Sequence, residues 1–412
     1  MINKKLKVGN VPNLRFPEFT EEWETKKLGE VMDFKVTNSF SRENLNYEVG
    51  TVKNIHYGDI HTKFQTLFDT TKEVVPFINE EINLDRISDE NYCKEGDVIF
   101  ADASEDLNDV GKSIEIINVN SEKLLSGLHT LLGRPKSSFF HLGFNGYLFK
   151  SNSVRTQIQK ESQGSKVLSI STGRISKIEL SFPSVNEQER ITTLLSLLDE
   201  RIQTQNKIIE RLETLIKGLC QKLILNQVPN KKINNCVSCY SSSLTESDII
   251  DKNGIYPVYG ATGVIAFTEN SQINEDAILI IKDGSGVGKV QYASDKFSVI
   301  GTLNYLTVKP DVNLKYIFFC LKFFNFEKYK VGSGIPHIYF KDYGEAFIYC
   351  PSVEEQIKIE NEILNKAENV DFDIEYYQEA CPECLAGVKE KQKFFGFLEY
   401  HFYILNQNFD LN

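Results

Sequence analysis

The stretch from Pro183 to Leu225 constrains the fold of this chain more than any other. Ser184 and Glu187 form a Ser-x-x-Glu capping box directly after the proline, which is a typical start of a helix. Behind this start, apolar residues recur at alternating spacings of three and four, interrupted by the polar Gln205. They are Leu195, Leu198, Ile202, Ile209, Leu212, Ile216, Leu219 and Leu223. This seam predicts a helix of about 40 residues and about 60 Å that packs on a partner helix.

The same helix start recurs later in the chain. Pro351-Ser352-Val353-Glu354-Glu355-Gln356 matches Pro183-Ser184-Val185-Asn186-Glu187-Gln188 at an offset of 168 residues, which is 351 minus 183. Behind the second copy, spacings of four and three recur at Ile363, Ala367, Val370, Ile374, Tyr377, Cys381, Cys384 and Val388. The sequence therefore predicts a second long helix, and this helix is the expected partner of the first.

The chain is expected to alternate globular blocks with these helices. The predicted parts are a lead-in (1–22), a first block (23–183), the first long helix (184–227), a second block (228–351), the second long helix (352–405) and a tail (406–412). Pro382 is expected to kink or break the second helix, because proline lacks the N–H that a helix interior needs.

Both blocks have the patterns of mixed α/β structure. In the first block, the strand-like stretches are Glu48–Ile55, Gly96–Ala101, Ser113–Ile117 and Gly146–Phe149, and the helix-like stretch is Val154–Glu161. In the second block, the strand-like stretches are Ala277–Ile281 and Lys289–Ala293, and the helix-like stretch is Leu314–Phe326. The predicted fold class is α+β.

The two blocks also repeat weakly. Val110-Gly111-Lys112 corresponds to Val287-Gly288-Lys289, and at the offset of 168 residues Gly164-Ser165 corresponds to Gly332-Ser333. Such a duplication predicts pseudo-twofold symmetry, which suits a ligand with two separated halves.

Bulk composition sets limits on function. The formal net charge of the 412 residues is −11, which argues against a nucleic-acid protein unless other subunits neutralise the phosphates. No run approaches the roughly 20 apolar residues of a membrane span, so a cytoplasmic protein is expected. In that compartment, the eight cysteines are expected to be thiols.

Two Cys-x-x-Cys pairs, Cys236/Cys239 and Cys381/Cys384, invite a zinc interpretation. The gap between the pairs is far longer than the roughly 15–20 residues of typical zinc sites. Ordinary packing is the preferred interpretation, and no metal site is predicted.

The glycine-rich stretch Asp283–Lys289 resembles a phosphate loop only superficially. The residue five before Gly288 is Asp283 instead of glycine, and no Ser or Thr follows Lys289. A tight glycine turn between strands is the prediction. No nucleophile with its base and no methyltransferase motif was found, so no catalytic residue is predicted.

The remaining candidates are polar and aromatic residues that suit base edges and phosphates. In the first block they are Lys53, Asn54, His56, Tyr57, Lys63, Ser165, Lys166, Thr172 and Arg174. In the second block they are Tyr259, Thr262, Lys282, Ser285, Lys289, Ser333, His337, Tyr339 and Lys341. Taken one at a time, each is more often an ordinary solvated residue.

In its order of motifs, the chain resembles the specificity subunits of type I restriction–modification systems. The matching residues are Leu14-Arg15-Phe16-Pro17-Glu18-Phe19, Trp23, Lys27-Leu28-Gly29, Tyr57-Gly58-Asp59-Ile60, Tyr256–Gly263 and the two Pro-Ser-Val-x-Glu-Gln helix starts. They extend over nearly the whole chain, and their order and duplication are more specific than any single motif.

The resemblance implies two target-recognition domains that each read one half of a bipartite double-stranded DNA target, with two antiparallel helices setting the spacing. It implies two adenine-methylating modification subunits as partners, together with restriction subunits that translocate and cut DNA. S-adenosylmethionine, ATP and magnesium would be bound by those partners and not by this chain. Partners that share the phosphate contacts would also explain the acidic net charge.

The end of the chain departs from the family pattern. Between Lys366 and Glu383 the sequence is strongly acidic, which fits a partner-facing stripe or a solvated face equally well. Two other function classes stay open from the sequence alone. One is an enzyme with an unrecognised site, and the other is a protein-interaction scaffold built on a coiled-coil strut without a DNA role.

Overall fold

The computed structural model describes residues 15–136, 139–249, 254–332 and 334–368. The chain divides into two compact units, and the division falls between Gln203 and Thr204, inside a long helix. The described residues mix helices with sheets in both units. The predicted mixed α+β class with two globular parts is confirmed.

The elements of the first unit are as follows. Its helices are α1 (Leu28–Val31), α2 (Tyr57–Thr62), α3 (Phe144–Leu148), α4 (Asn152–Glu161), α5 (Thr172–Ile175) and α6 (Val185–Cys220), which continues into the second unit. Its strands are β1 (Glu24–Lys27), β2 (Met32–Lys35), β3 (Leu45–Asn46), β4 (Val52–Ile55), β5 (Leu67–Asp69), β6 (Phe77–Ile78), β7 (Val98–Ala101), β8 (Ala103–Ser104), β9 (Ser113–Asn118), β10 (Lys123–Ser126), β11 (Thr130–Pro135), β12 (Leu168–Ser169) and β13 (Glu179–Phe182).

The main sheet of the first unit has the strand order β2-β11-β7-β9-β5. Every residue of β7 is buried, with Val98 and Phe100 in one apolar cluster and Ile99 and Ala101 in another. A strand covered on both faces needs apolar residues at every position, which is why this run lacks alternation. The smaller sheets are β10-β4-β6-β3, β1-β13 and β12-β8.

The elements of the second unit come next. Its further helices are α7 (Ile233–Cys236), α8 (Leu314–Lys322), α9 (Phe340–Tyr343) and α10 (Val353–Glu368), and a π-helical turn over Gln221–Leu225 ends α6. Its strands are β14 (Lys231–Lys232), β15 (Val237–Ser241), β16 (Tyr256–Gly260), β17 (Gly263–Thr268), β18 (Ala277–Ile281), β19 (Val290–Ala293), β20 (Ser298–Val299), β21 (Leu303–Val308) and β22 (Phe347–Ile348).

The second unit repeats the topology of the first. Its main sheet has the order β15-β21-β18-β19, which matches β2-β11-β7-β9 strand for strand. The central strand β18 is again buried throughout, with Ile278 and Ile280 in one cluster and Leu279 and Ile281 in another. The pairs β1-β13 and β14-β22 also correspond. The internal repeat predicted from short motifs therefore extends to the fold.

The glutamine of the repeated Pro-Ser-Val-x-Glu-Gln motif fastens the long helix to the first unit. Gln188 is completely buried, and its Nε2 donates to the carbonyls of Pro183 and Phe139, both at 2.9 Å. Its Oε1 accepts from the backbone N–H of His141 at 2.8 Å. One side chain thus satisfies three backbone groups, one in its own helix start and two in the segment that leads into α3.

The second copy of the motif makes the same connection. Gln356 is also completely buried, its Nε2 donates to the carbonyl of Pro351 at 2.8 Å, and its Oε1 accepts from the N–H of Asn313 at 2.9 Å. Asn313 caps α8, since its side chain accepts from Tyr316 N. The capping-box glutamate of the first copy has another role, because both carboxylate oxygens of Glu187 bind Arg15, at 2.7 and 2.6 Å.

The predicted helix seam divides into an exposed part and a buried part. In the first part, Leu195 is half-buried, while Leu198 and Ile202 are 47% and 56% exposed. In the second part, the exposed fractions of Leu212 and Leu219 fall to 3% and 8%. Ile209, Ile216 and Leu223 are half-buried.

The later part of the seam shares a core with α10 in the second unit. Leu219, Cys220 and Ile224 belong to one buried cluster with Ile359 and Ile363. The predicted seam residue Ala367 is also buried, at 1% exposed. The remaining predicted seam residues of the second helix, together with Pro382, lie outside the described residues; they are Val370, Ile374, Tyr377, Cys381, Cys384 and Val388.

The predicted strand over Gly146–Phe149 is wrong, because these residues form most of α3 and its end. The buried carboxylate of Glu115 accepts from the N–H groups of Gly143 at 2.8 Å and Gly146 at 2.7 Å, which satisfies donors at the start of this helix. A short apolar run does not distinguish a strand from a buried helix.

Replacing Gln188 by leucine is expected to destabilise the protein by about 2–4 kcal/mol, because one buried and two partly buried backbone groups lose their hydrogen-bond partner. Urea unfolding followed by circular dichroism measures this change. Gln203→Leu on the same helix is the matched control, since Gln203 is only half-buried and contacts the Gln65 side chain. Equal stabilities of the two variants would contradict the proposed role of Gln188.

Candidate nucleic-acid interface

In the first unit, a hairpin is attached to the end of the central strand β7. The backbone N–H of Ile170 donates to the carbonyl of Asp102 at 2.8 Å, and β12 pairs with β8 directly after β7. Residues Gln163 and Ser169 bridge each other, and Gln163–Ser169 is called the first hairpin below. The predicted residues Ser165 and Lys166 are exposed in this hairpin.

The second unit has the corresponding arrangement. The N–H of Ile338 donates to the carbonyl of Lys282 at 3.0 Å, directly after the central strand β18. Val331 and His337 bridge each other, and Val331–His337 is called the second hairpin. Its predicted residue Ser333 lies outside the described residues, and Gly332 has a φ of 98°.

A glycine turn follows each central strand and is repeated as well. Gly111 and Gly288 have φ values of 66° and 88°, and their N–H groups donate to Ala101 at 2.8 Å and to Ile281 at 2.9 Å. These positive φ values favour glycine. In the second unit this turn joins the antiparallel strands β18 and β19. The prediction of a glycine turn between strands is confirmed, and a phosphate loop, which needs a helix there, is excluded at this position.

Three histidines surround Tyr57 in the first unit. The ring centroids of His56, His61 and His129 lie 4.6, 5.9 and 5.3 Å from that of Tyr57, and these four residues are called the Tyr57 cluster. His129 Nδ1 lies 3.3 Å from Asp102 Oδ1. The cluster therefore adjoins the strand end to which the first hairpin is attached.

Two predicted first-unit residues lie in the strand β4. Asn54 is completely buried in β4, and its Oδ1 accepts from Asn38 Nδ2 at 2.6 Å. Lys53 is paired with Glu122 at 2.6 Å, and its side chain is only 13% exposed. The prediction for Asn54 is corrected, because its side chain is completely buried, whereas Lys53 stays a prediction with a partly buried, paired side chain.

His56 is a helix cap instead of a base-reading residue. It is buried, and its Nδ1 accepts from the N–H of Gly58 at 3.2 Å at the start of α2. Burial and, second, the positive charge of Arg42 lower the pKa of His56 to about 4. The imidazole is therefore neutral at physiological pH.

The other predicted first-unit residues reach the surface. Thr172 is exposed, and Tyr57 is half-buried. Lys63 is 52% exposed and pairs with Asp59 at 3.0 Å. Arg174 pairs with Glu161 at 3.4 Å and is 37% exposed.

The predicted residues of the second unit are mostly exposed around the glycine turn. Ser285 and Lys289 are exposed in the turn, and Lys282 Nζ donates to Ser241 Oγ at 3.4 Å. His337 Nδ1 lies 2.6 Å from Asp283 Oδ1, which ties the second hairpin to the turn.

Four further residues of the second unit complete the predicted set. Tyr259 packs edge-on against Phe297, and Thr262 is exposed in the turn between β16 and β17. Tyr259 also lines a groove of about 1360 Å³ together with Ser285 and Lys289. Lys341 and Tyr339 are exposed, with Lys341 Nζ 5.4 Å from the Tyr339 ring centroid.

Three residues near the candidate surface of the first unit were not among the predicted DNA-binding residues. Lys112 occupies the position of Lys289 in the repeat, and its Nζ donates to the carbonyl of His61 at 2.7 Å. The matching Val-Gly-Lys triplets could have identified it. His61 and His129 lie 68 residues apart (129 minus 61), and no local pattern connects them.

Two of the four cysteines that invited a zinc interpretation lie in the described part of the chain, and they have different surroundings. Cys236 is completely buried and hydrogen-bonds to Cys350, whereas Cys239 is half-buried; Cys381 and Cys384 lie outside the described residues. Among the described residues, no group of three or more His, Cys, Asp or Glu side chains could hold a metal ion.

No described helix is long and apolar enough to cross a membrane.

Sequence comparison places the chain in a family. The profile of the family described as type I restriction modification DNA specificity domain matches residues 20–214 and 239–379. These ranges cover most of the chain, which therefore belongs to this family. A second profile, of a family described as a protein of unknown function, matches residues 352–411.

Two curated relatives carry the same type of name. The chain is 25% identical over 232 residues to the putative type I restriction enzyme MjaX specificity subunit of Methanocaldococcus jannaschii, a match that covers 55% of this chain and 49% of that protein. It is 26% identical over 109 residues to the type I restriction enzyme EcoprrI specificity subunit of Escherichia coli, covering 26% of this chain and 27% of that protein. The matches thus span about half and about a quarter of these two relatives.

A solved structure shares the fold. The crystal structure of a type I restriction–modification system S subunit from M. genitalium matches with a TM-score of 0.58 and 16% sequence identity, covering 97% of both chains. The likeness extends over both units and supports the repeated architecture described above.

The cap formed by His56 predicts a pH dependence of stability. The unfolded state binds a proton near the ordinary pKa of 6.5, whereas the folded state binds it only near about 4. Folded protein is therefore destabilised as the pH falls through this window. Between pH 7 and pH 5, His56→Asn should lose about 2 kcal/mol less stability than the parent chain, because Asn caps without titrating. Urea unfolding at both pH values tests this, and identical losses would contradict the cap.

Proposed function

We propose that this chain is the DNA sequence-recognition subunit of a type I restriction–modification complex, in which each unit reads one half of a bipartite target. The observation that carries the proposal is a structural feature that occurs in both units. We call this feature the corner: the end of the central strand together with the hairpin attached to it. In each unit the same backbone hydrogen bond attaches a hairpin to the end of a buried central strand, at Asp102 and at Lys282. Two equivalent surfaces on one chain suit two half-sites.

The chemistry of these surfaces suits DNA. Exposed lysines, Lys166 in the first hairpin and Lys289 in the second glycine turn, can contact phosphates. Exposed Ser165 and Ser285 carry hydroxyls, which can both donate to and accept from base edges. The same residue types therefore occur beside both corners.

The chemical steps would be carried out by other subunits. Two modification subunits would methylate adenine in the recognised site, and restriction subunits would translocate and cut DNA. S-adenosylmethionine, ATP and magnesium would be bound by those partners, with this chain acting as a non-catalytic cytoplasmic component. Shared phosphate contacts would compensate for the formal net charge of −11.

The proposal is tested by methylation of a random DNA library. With this chain copurified with its modification subunits, methylated adenines should fall in a single bipartite motif. Without this chain, methylation should be absent or non-specific. Methylation in the same motif without the chain, or no motif with it, would refute the proposal.

The long helix is proposed to set the spacing between the half-sites. Deleting the seven residues Ile202–Ile208 removes about 10 Å of helix and should shorten the spacer of the methylated motif by about three base pairs, or abolish methylation. Inserting a seven-residue helical repeat at the same place is the matched control and should lengthen the spacer. An unchanged spacer in both variants would contradict the proposal that the long helix sets the spacing.

A further inference from the structure

A buried carboxylate holds two partly exposed cations beside the Tyr57 cluster. Arg42 binds Asp59 through both terminal nitrogens, with Nη1–Oδ2 at 2.7 Å and Nη2–Oδ1 at 2.8 Å. Lys63 Nζ lies 3.0 Å from Oδ1 of the same carboxylate. The Asp59 side chain is 1% exposed, whereas those of Arg42 and Lys63 are 44% and 52% exposed.

Arg42 and Lys63 together carry more positive charge than is required to neutralise the carboxylate of Asp59. Burial raises the pKa of Asp59, but the hydrogen bonds from Arg42 and Lys63 outweigh it, so the pKa lies below its ordinary value and the carboxylate is ionised. One cation would neutralise one buried carboxylate. Two cations leave a net charge of +1 at the surface of an acidic chain.

A tyrosine fixes the two cations further. The Tyr47 hydroxyl accepts from Arg42 Nη1 at 3.4 Å and from Lys63 Nζ at 3.2 Å. Tyr47 is 50% exposed, and its own O–H remains able to donate to another acceptor. The three side chains thus present hydrogen-bond donors in a pre-ordered arrangement, which reduces the loss of side-chain freedom on binding an anion.

The position of this group matches that of a backbone contact next to a base-reading surface. Asp59 and Tyr57 belong to the same helix α2, and Tyr57 contacts His129, whose Nδ1 lies beside Asp102 at the corner of the first hairpin. Phosphate contacts make up half or more of the hydrogen bonds in protein–DNA interfaces and fix the register of the reading groups.

We propose that Arg42, Lys63 and Tyr47 form a DNA-phosphate anchor of the first unit, with Asp59 as the positioning residue. The inference rests on the proposed function and assigns a backbone-binding role to residues outside the hairpins. An anchor of this kind contributes affinity that is independent of base sequence and sensitive to salt.

The salt dependence of DNA binding tests the anchor. Apparent affinities of the full chain, copurified with its modification subunits, are measured on a duplex carrying its selected motif between about 50 and 200 mM salt. Arg42→Gln and Lys63→Gln should each reduce the slope of log affinity against log salt by about 0.9, and the double variant by about 1.8. Arg42→Lys should keep the slope, because the charge is retained. The selected motif should be the same in all variants.

Lys72→Gln is the matched control. Lys72 also pairs with an aspartate in the first unit, at 3.8 Å from Asp69, and it is 72% exposed. The slope of log affinity against log salt for Lys72→Gln should equal that of the parent chain. If Arg42→Gln fails to fold, Lys63→Gln decides alone, since Lys63 is half exposed and its loss leaves the Arg42–Asp59 pair intact.

The anchor would be overturned if Lys63→Gln and the double variant showed the same slope of log affinity against log salt as the parent chain. If the parent chain still bound its motif specifically, the recognition function would be unaffected by that result. If the parent complex selects no motif at all, the proposed function fails first. The two failures are therefore distinguishable in one set of titrations.

Discussion

The architecture depends on one buried side-chain amide that occurs twice. Gln188 and Gln356 each satisfy a carbonyl at their own helix start and an N–H in the preceding part of their unit, at distances of 2.8 to 2.9 Å. Because an unsatisfied buried amide is costly, the start of each long helix is held to its globular unit in one orientation. A long helix can position a globular unit only if the start of the helix is firmly attached to that unit. The side-chain amides of Gln188 and Gln356 provide this attachment.

The central strands connect this attachment to the candidate surface. β7 and β18 are buried on both faces, and the first and second hairpins are attached at their ends by equivalent backbone hydrogen bonds. Exposed polar residues at the end of a fixed strand are well suited to recognition. The acidic composition is compatible with this role because positive charge is concentrated locally, as at Arg42 and Lys63 around a single carboxylate.

Local sequence signals predicted the repeated framework well. The capping boxes place the helix starts at 184 and 352, and the structure begins α6 and α10 at Val185 and Val353. The stretches Gly96–Ala101 and Ala277–Ile281 were predicted as strands, and they contain β7 and β18. The failures have a non-local cause. Glu115 in β9 accepts from N–H groups at the start of α3, and the side chain of Asn54 is completely buried within the folded unit. The Tyr57 cluster assembles residues from 56 to 129, which no spacing pattern predicts.

The proposed function requires that each unit reads its own half-site through its hairpin. The most direct measurement is selection of bound sites from random DNA with a chain carrying Ser165→Ala and Lys166→Ala, which retains Gly164 and its φ of 138° and hence the turn. We expect that one half of the selected motif loses sequence preference while the other half and the spacer are unchanged. A motif that stays intact in both halves, or that is lost in both, would contradict it.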